Sequence, residues 1–150
     1  NSVVIDDVTT GPDSSVWYNV TIRGDVNNIT NGARTNIQDG TVIHVSSTTQ
    51  GTYIGDDVTV GHMALLHACT VGDRTLIGMG AIVMDEASVG DDCIIAAGAL
   101  VPPRKIIPAR QLWAGRPAKY VRNITDEDLM MLKISAEKYV DLAHEYRDRG

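Results

Sequence analysis

The chain has 150 residues and 43% apolar side chains, enough for one domain that buries roughly 68–70% of its unfolded surface. Its net charge of −6, from 13 basic and 19 acidic residues, excludes general attraction to nucleic acid or anionic lipid, and no apolar run is long enough for a membrane-spanning helix. Phenylalanine is absent and aromatic residues make up 5% of the chain, while Val and Ile together number 30 against 8 Leu, which disfavours a helical bundle and favours a narrow β-branched core. The sequence starts at Asn1 inside a pattern, with no basic and apolar leader, so an N-terminal piece is expected before it and no signal peptide is seen.

From the N-terminus, Val4, Thr10, Val16 and Ile22 stand six residues apart. After Val42 the pattern breaks. Thr48 stands where an aliphatic residue is due, inside the polar run from Ser46 to Thr52, which reads as a small loop bulging from the chain's regular path. The period resumes at Ile54 and Val60, shortens by one residue to Leu65, and then runs through Val71, Ile77, Val83, Val89, Ile95, Val101 and Ile107 to Trp113.

A glycine follows the aliphatic residue at Gly55, Gly61, Gly72, Gly78 and Gly90. Small residues such as Ser14, Val58, Cys69, Thr75, Ala87 and Cys93 stand four positions after it. A helix needs apolar residues three and four apart, whereas short β segments joined by glycine-permitted corners fit a period of six. Three such segments make a triangular turn of about 18 residues, and successive turns hydrogen-bond about 4.8 Å apart with their aliphatic residues in ladders. Residues 1–118 are therefore an all-β solenoid, with Cys69 and Cys93 as reduced thiols in its small inward slot.

Residues 119–150 are a linker and an amphipathic helix. Thr125 with Asp128 forms a capping box, and Leu129, Leu132, Ala136, Tyr139, Val140, Ala143 and Tyr146 recur at helical spacing as a stripe that packs on the solenoid or on a neighbouring subunit.

Three of the four histidines, His44, His62 and His67, fall two positions after Val42, Val60 and Leu65. In that frame all three share one outward slot, and together they form a candidate metal site. His62 and His67 occupy successive sides of one turn, so their rings diverge within a chain. The bulge places His44 one turn below His67, on the same face. His62 then faces an adjacent subunit, and three copies about a threefold axis would build three sites, each from two ligands of one chain and one of the next.

Ile22-Arg23-Gly24-Asp25, Asn36-Ile37-Gln38-Asp39, His44, Gly61-His62, Leu66-His67, Ile77-Gly78-Met79-Gly80, Ala97-Gly98-Ala99-Leu100-Val101 and Trp113-Ala114-Gly115-Arg116-Pro117-Ala118 together resemble the gamma class of carbonic anhydrases over essentially the whole chain. The resemblance implies a left-handed parallel β-helix with a C-terminal helix, assembled as a homotrimer with a divalent ion at each subunit interface. That ion is usually zinc, and a three-histidine site also accepts cobalt or ferrous iron. The implied activity is that of a lyase, the reversible hydration of carbon dioxide to bicarbonate by a metal-bound hydroxide. Gln38 would hydrogen-bond the metal-bound oxygen, Asn36 would support it, and Arg23 and Asp25 would pair across the interface.

The chain departs from the prototype of that class in one respect: the segment from Ser46 to Thr52 carries no acid and Asp25 is followed by Val26, so the glutamates that carry protons away are missing. Two other readings are an acyltransferase using coenzyme A and a single histidine, and a weakly active or non-catalytic assembly subunit like the gamma-class relatives in mitochondrial respiratory NADH dehydrogenase. The expected compartment is the cytoplasm, or the mitochondrial matrix in a eukaryote.

Overall fold

Strands of mostly two or three residues follow one another around three flat sides in the computed structural model, which describes residues 1–149. The first side stacks Val42–His44, Leu65–His67, Ile82–Val83 and Leu100–Val101; the second stacks Thr52–Ile54, Thr70–Val71, Ser88–Val89 and Ile106–Ile107. The long strand Thr21–Asn31 runs across both sides, and Val3–Thr10 pairs alongside it. The third side holds six strands in coil order, Ser15–Val16, Asn36–Ile37, Thr59–Val60, Leu76–Ile77, Ile94–Ile95 and Gln111–Ala114. Every pairing between coils is parallel, as a chain that always winds the same way requires. The fold is a parallel β-solenoid of about six turns.

Partners on the third side are 18 residues apart where the repeat is regular, as in Ile77 against Ile95 and Ile95 against Trp113. The irregularities gather at the corner between the first and second sides. Eleven residues separate inward Ile43 from Ile54, because Ser46 to Gly51 loop outward with Thr48 exposed. The loop is closed by Ser46 N–H to the Gln50 carbonyl at 3.2 Å and by the Gln50 amide to the Ala68 carbonyl at 3.0 Å. Residues 25–28 form a smaller insertion at the same corner one coil earlier, which the period did not reveal.

The inward residues differ from the six-residue frame at two places. Leu66 is fully buried and pairs with Val83, while Leu65 is 37% exposed; likewise Ile43 is fully buried and Val42 is 40% exposed. The one-residue shortening therefore falls after Leu66, where Ala68 takes a positive φ and turns the corner early. Adjacent aliphatic pairs, Val42-Ile43 and Leu65-Leu66, make the two registers indistinguishable by hydropathy, and a slip of one residue in a strand exchanges its faces.

Glycine plays a different part from the one the spacing implies. The positive-φ corner residues are mostly not glycine: Asp13, Arg34, Asp57, Arg74, Asp92 and Arg110 take φ between 53° and 61°. The repeat glycines lie earlier in the corner, where the next coil leaves no room. A Cβ on Gly72 would stand 2.7 Å from the Gly90 carbonyl carbon, and one on Gly78 would stand 2.5 Å from the Ala97 nitrogen. The six positive-φ residues stack in register with alternating charge, and Arg34 grips Asp57, and Arg74 grips Asp92, through two nitrogens at 2.7–3.1 Å.

Inside, Ile22, Ile37, Val60, Leu66, Val71, Ile77, Val83, Val89, Ile95, Val101 and Ile107 are buried to within 1%, and each such side chain contributes about 1.5–3 kcal/mol. Cys69 and Cys93 are buried free thiols. The exception is Asn31, which occupies an aliphatic slot below Ile54 with neither amide atom paired among the described residues.

The rings lie mainly outside the coil. Residues 119–123, expected as linker, form a strand antiparallel to Gln111–Ala114, and the helix Asp126–Arg149 then descends the third side. Its capping box forms as expected: Thr125 N–H donates to Asp128 at 2.8 Å and Asp128 N–H to the Thr125 hydroxyl at 3.1 Å. Leu132 and Ala136 are buried, and Trp17 meets Tyr139 and Tyr146 edge-on at 5.6 and 5.3 Å. Near the helix end His144 reaches Asp13 at 3.1 Å. No helix among the described residues is long and apolar enough to cross a membrane.

Because the ladders are close-packed, Ile77→Ala should lower unfolding free energy by about 3 kcal/mol. Asn31→Leu should instead raise it by about 1 kcal/mol by removing an unpaired buried amide. Urea denaturation of the two variants checks both signs.

Candidate metal centre

His44 and His67 end paired strands on the first side and are in direct register, His44 against His67. Both follow a buried residue, Ile43 or Leu66, by one position, so both project outward from the flat side, at its edge by the irregular corner. The rings approach each other, with His44 Nδ1 3.2 Å from His67 Nε2. The remaining nitrogen of each ring meets a carboxylate: His44 Nε2 lies 2.9 Å from Asp25, and His67 Nδ1 lies 2.8 Å from Asp85.

His62 is elsewhere. It follows Val60 by two positions and stands in the turn at the opposite edge of the same side, with Nδ1 3.2 Å from Asp39. The three histidines therefore do not share a slot as the sequence frame implied; two are strand residues and one is a corner residue. The separation of His62 from His67 within a chain agrees with the expected divergence. Among the described residues no three histidine, cysteine or acidic side chains converge on one point, so one chain brings together two imidazoles.

The donor set can be tested against an ion. Two nitrogens each about 2.0–2.1 Å from a tetrahedral zinc stand about 3.3–3.4 Å apart, and His44 Nδ1 and His67 Nε2 are 3.2 Å apart. A ligating histidine also keeps its other N–H on a carboxylate, which fixes the tautomer and ring angle. Asp25 and Asp85 do this here, while the Asp39 carboxylate lies 3.2 Å from His62 Nδ1 and His62 Nε2 has no partner among the described residues. The residues fit a divalent ion.

Arg23 and Asp25, expected to pair across a subunit boundary, already pair within the chain, because residues two apart on a strand point the same way. The His44 ring and then the Arg23 guanidinium hold the Asp25 carboxyl below its usual range. Asn36 and Gln38 are buried on and just after the third-side strand Asn36–Ile37, and Gln38 Nε2 donates to Asn36 Oδ1 at 3.1 Å. Gln38 lines a groove with Thr59, Gly61, His62, Gly78 and Met79, so it accompanies His62 and not the His44–His67 pair within one chain.

Asp39 and Asp85 were missed from sequence. Both were accessible through the period: Asp85 lies 18 residues after His67, and Asp39 lies one bulged coil of 23 residues before His62.

A parallel hexapeptide coil with paired imidazoles on one side belongs to the class of hexapeptide-repeat proteins, and the profile of the family "Bacterial transferase hexapeptide (six repeats)" matches residues 68–103. A crystallised "hexapeptide transferase family protein" from Anaplasma phagocytophilum superposes with a TM-score of 0.91 at 46% identity, covering 95% of this chain and 84% of that one. "Carbonic anhydrase" of Geobacillus kaustophilus is 42% identical, covering 94% of this chain and 77% of that protein. "Gamma carbonic anhydrase 2, mitochondrial" of Arabidopsis thaliana is 47% identical over 93% of this chain and 52% of its own length. The chain thus spans about half the length of that plant relative. It belongs to the gamma carbonic anhydrase family.

The two cysteines take no part in the centre. Burial pushes the Cys69 thiol up to about 12, against about 8.5 for a free thiol. Cys69 should therefore resist alkylation at pH 8 until the protein is unfolded, as mass spectrometry of the alkylated protein would show. Since only the unfolded thiol ionises between those values, Cys69 makes stability fall as pH rises above about 8.5; the pH dependence of unfolding in wild type and Cys69→Ala checks the sign.

Proposed function

We propose that this chain, assembled with copies of itself, is a metal-dependent carbonic anhydrase that interconverts carbon dioxide and bicarbonate at sites shared between subunits. The observation that carries the reading is the in-register pair of His44 Nδ1 and His67 Nε2, 3.2 Å apart, each ring backed by its own carboxylate. Family membership supports carbon dioxide hydration as the reaction. An acyltransferase needs one histidine as base and has no use for two imidazoles at chelating distance.

His62, whose Nε2 has no partner among the described residues, stands at the far edge of the same side and is the third ligand, supplied by a neighbouring copy. The surface around it favours self-association: Met63 and Met79 at its corner are 74% and 59% exposed, and Val42 and Leu65 on the flat side are also exposed. His44 and His67 of one copy and His62 of the next would hold a divalent ion, which would supply the acidity needed to ionise water near neutral pH. Zinc suits the set, and cobalt or ferrous iron also fit it.

The chain's own groups do the rest. Asp25 and Asp85 hold the proton on the far nitrogens of His44 and His67, so that the nitrogens facing the site carry none. Gln38 presents an amide beside His62 that orients a water without titrating. The bulge of Ser46 to Gly51 has no acid, so the proton released on each turnover leaves to buffer.

Elemental analysis of anaerobically purified protein, followed by stopped-flow carbon dioxide hydration on the same sample, tests the reading. One divalent ion per chain and a rate that climbs with buffer concentration are expected. His62→Ala should lose both ion and activity. Mixing His62→Ala with His44→Ala chains should restore part of each, because one interface in the mixed assembly then carries all three ligands. Stoichiometric metal retained in His62→Ala alone would sink the shared site.

A further inference from the structure

Beneath the C-terminal helix, four polar side chains form a line that ends at Gln38. Gln38 Nε2 donates to Asn36 Oδ1 at 3.1 Å, Asn36 Nδ2 donates to Thr59 Oγ1 at 3.0 Å, and Thr59 Oγ1 meets the helix residue Ser135 Oγ at 3.1 Å. Gln38, Asn36 and Thr59 are 6%, 1% and 4% exposed, on a part of the third side that the helix covers. Buried polar groups held in a chain polarise one another and admit few orientations.

The direction of the line is set by a group that can only accept. The Val58 carbonyl lies 3.4 Å from the same Asn36 side-chain atom that faces Thr59, so that atom is the amide nitrogen and the Asn36 oxygen faces Gln38. Gln38 must then offer its nitrogen to Asn36 and turn Oε1 the other way. Thr59 Oγ1, already accepting from Asn36, has its hydroxyl hydrogen free to donate to Ser135. Gln38 Oε1 has no protein partner among the described residues, and Gln38 lines the groove that also contains His62 and Ser135.

We infer that Ser135, on the terminal helix, is a positioning residue: by accepting the Thr59 hydroxyl it locks the Asn36 and Gln38 amides so that Gln38 presents an oxygen, and not an amino group, to the groove beside His62. This rests on the carbonic anhydrase reading, in which an acceptor there takes the O–H of the attacking hydroxide and turns its lone pair toward carbon dioxide. Without Ser135 the Thr59 hydroxyl can donate to Asn36 instead. Asn36 then flips against only the long Val58 contact, and Gln38 flips with it, offering a donor where an acceptor is needed. The helix thereby becomes part of the site as well as a cover for the third side.

Ser135→Ala, Ser135→Thr and Thr59→Val provide the test, read in two ways on the full chain. In metal-free protein, NMR of the side-chain amides of Asn36 and Gln38 should show about two- to tenfold faster solvent exchange in Ser135→Ala and Thr59→Val. Wild-type exchange should return in Ser135→Thr, which restores the hydroxyl. In metal-loaded protein, Ser135→Ala should lose about tenfold in kcat with KM and metal content little changed, and Ser135→Thr should recover it. The Thr59→Val, Ser135→Ala double variant should be no worse than the poorer single one, since both cut the same line. Unchanged amide exchange in Ser135→Ala overturns the inference whatever the activity. Absence of carbon dioxide hydration in metal-loaded wild type overturns the carbonic anhydrase reading, while the metal-free exchange still decides whether Ser135 orients the amides.

Discussion

Stacking of each coil on the next by parallel main-chain hydrogen bonds is the constraint from which the rest of this molecule follows. With strands about 4.8 Å apart, a residue and its counterpart one turn later are forced into contact, so each position in the turn becomes a column. Columns of Ile, Val and Leu make the core. A column of glycine exists because the coil above would strike a Cβ, and a column of alternating Asp and Arg exists because like charges at that spacing repel while opposite ones pair. The same geometry brings His44 to within 3.2 Å of His67 although 23 residues separate them.

The candidate metal centre lies where the columns are disturbed. The corner between the first and second sides is extended in two successive coils and then shortened at Ala68, whereas the other corners keep their length. The first extension begins at Asp25, the second follows His44, and the shortening follows His67. Longer chain at a corner costs little in closure entropy, and it frees backbone from the columns just where side chains must aim outward. The charged corner, which ties coil to coil and sits under the helix, has no such freedom and serves stability.

Carboxylates stand behind every histidine of the chain, and three of the four pairs span one turn of the coil or nearly so. The helix adds a second layer of restraint: aromatic contacts from Trp17 anchor it at the start of the coil, and its polar contact through Ser135 reaches the buried amides. Apart from Trp113, which packs with the core in the last coil, rings for which the thin core has little room are used on the outside, in keeping with the absence of phenylalanine and the placement of Trp17, Tyr139 and Tyr146.

The sequence by itself determined the solenoid, its three-sided turn, the outward bulge, the capping box and the pairing of His44 with His67, because each of these depends on spacing alone. The inward register at Val42-Ile43 and Leu65-Leu66 was not legible, since two adjacent aliphatic residues are equivalent to any pattern of hydropathy and only packing chooses between them. That choice placed His62 at a corner and His44 and His67 on strands, where a common slot had been expected. The carboxylates Asp39 and Asp85 were one turn away in sequence but required the true register to be seen. The line from Gln38 to Ser135 was decided only by the tertiary structure, because the helix docks through side-chain contacts that have no period in the chain and could have covered any of the three sides.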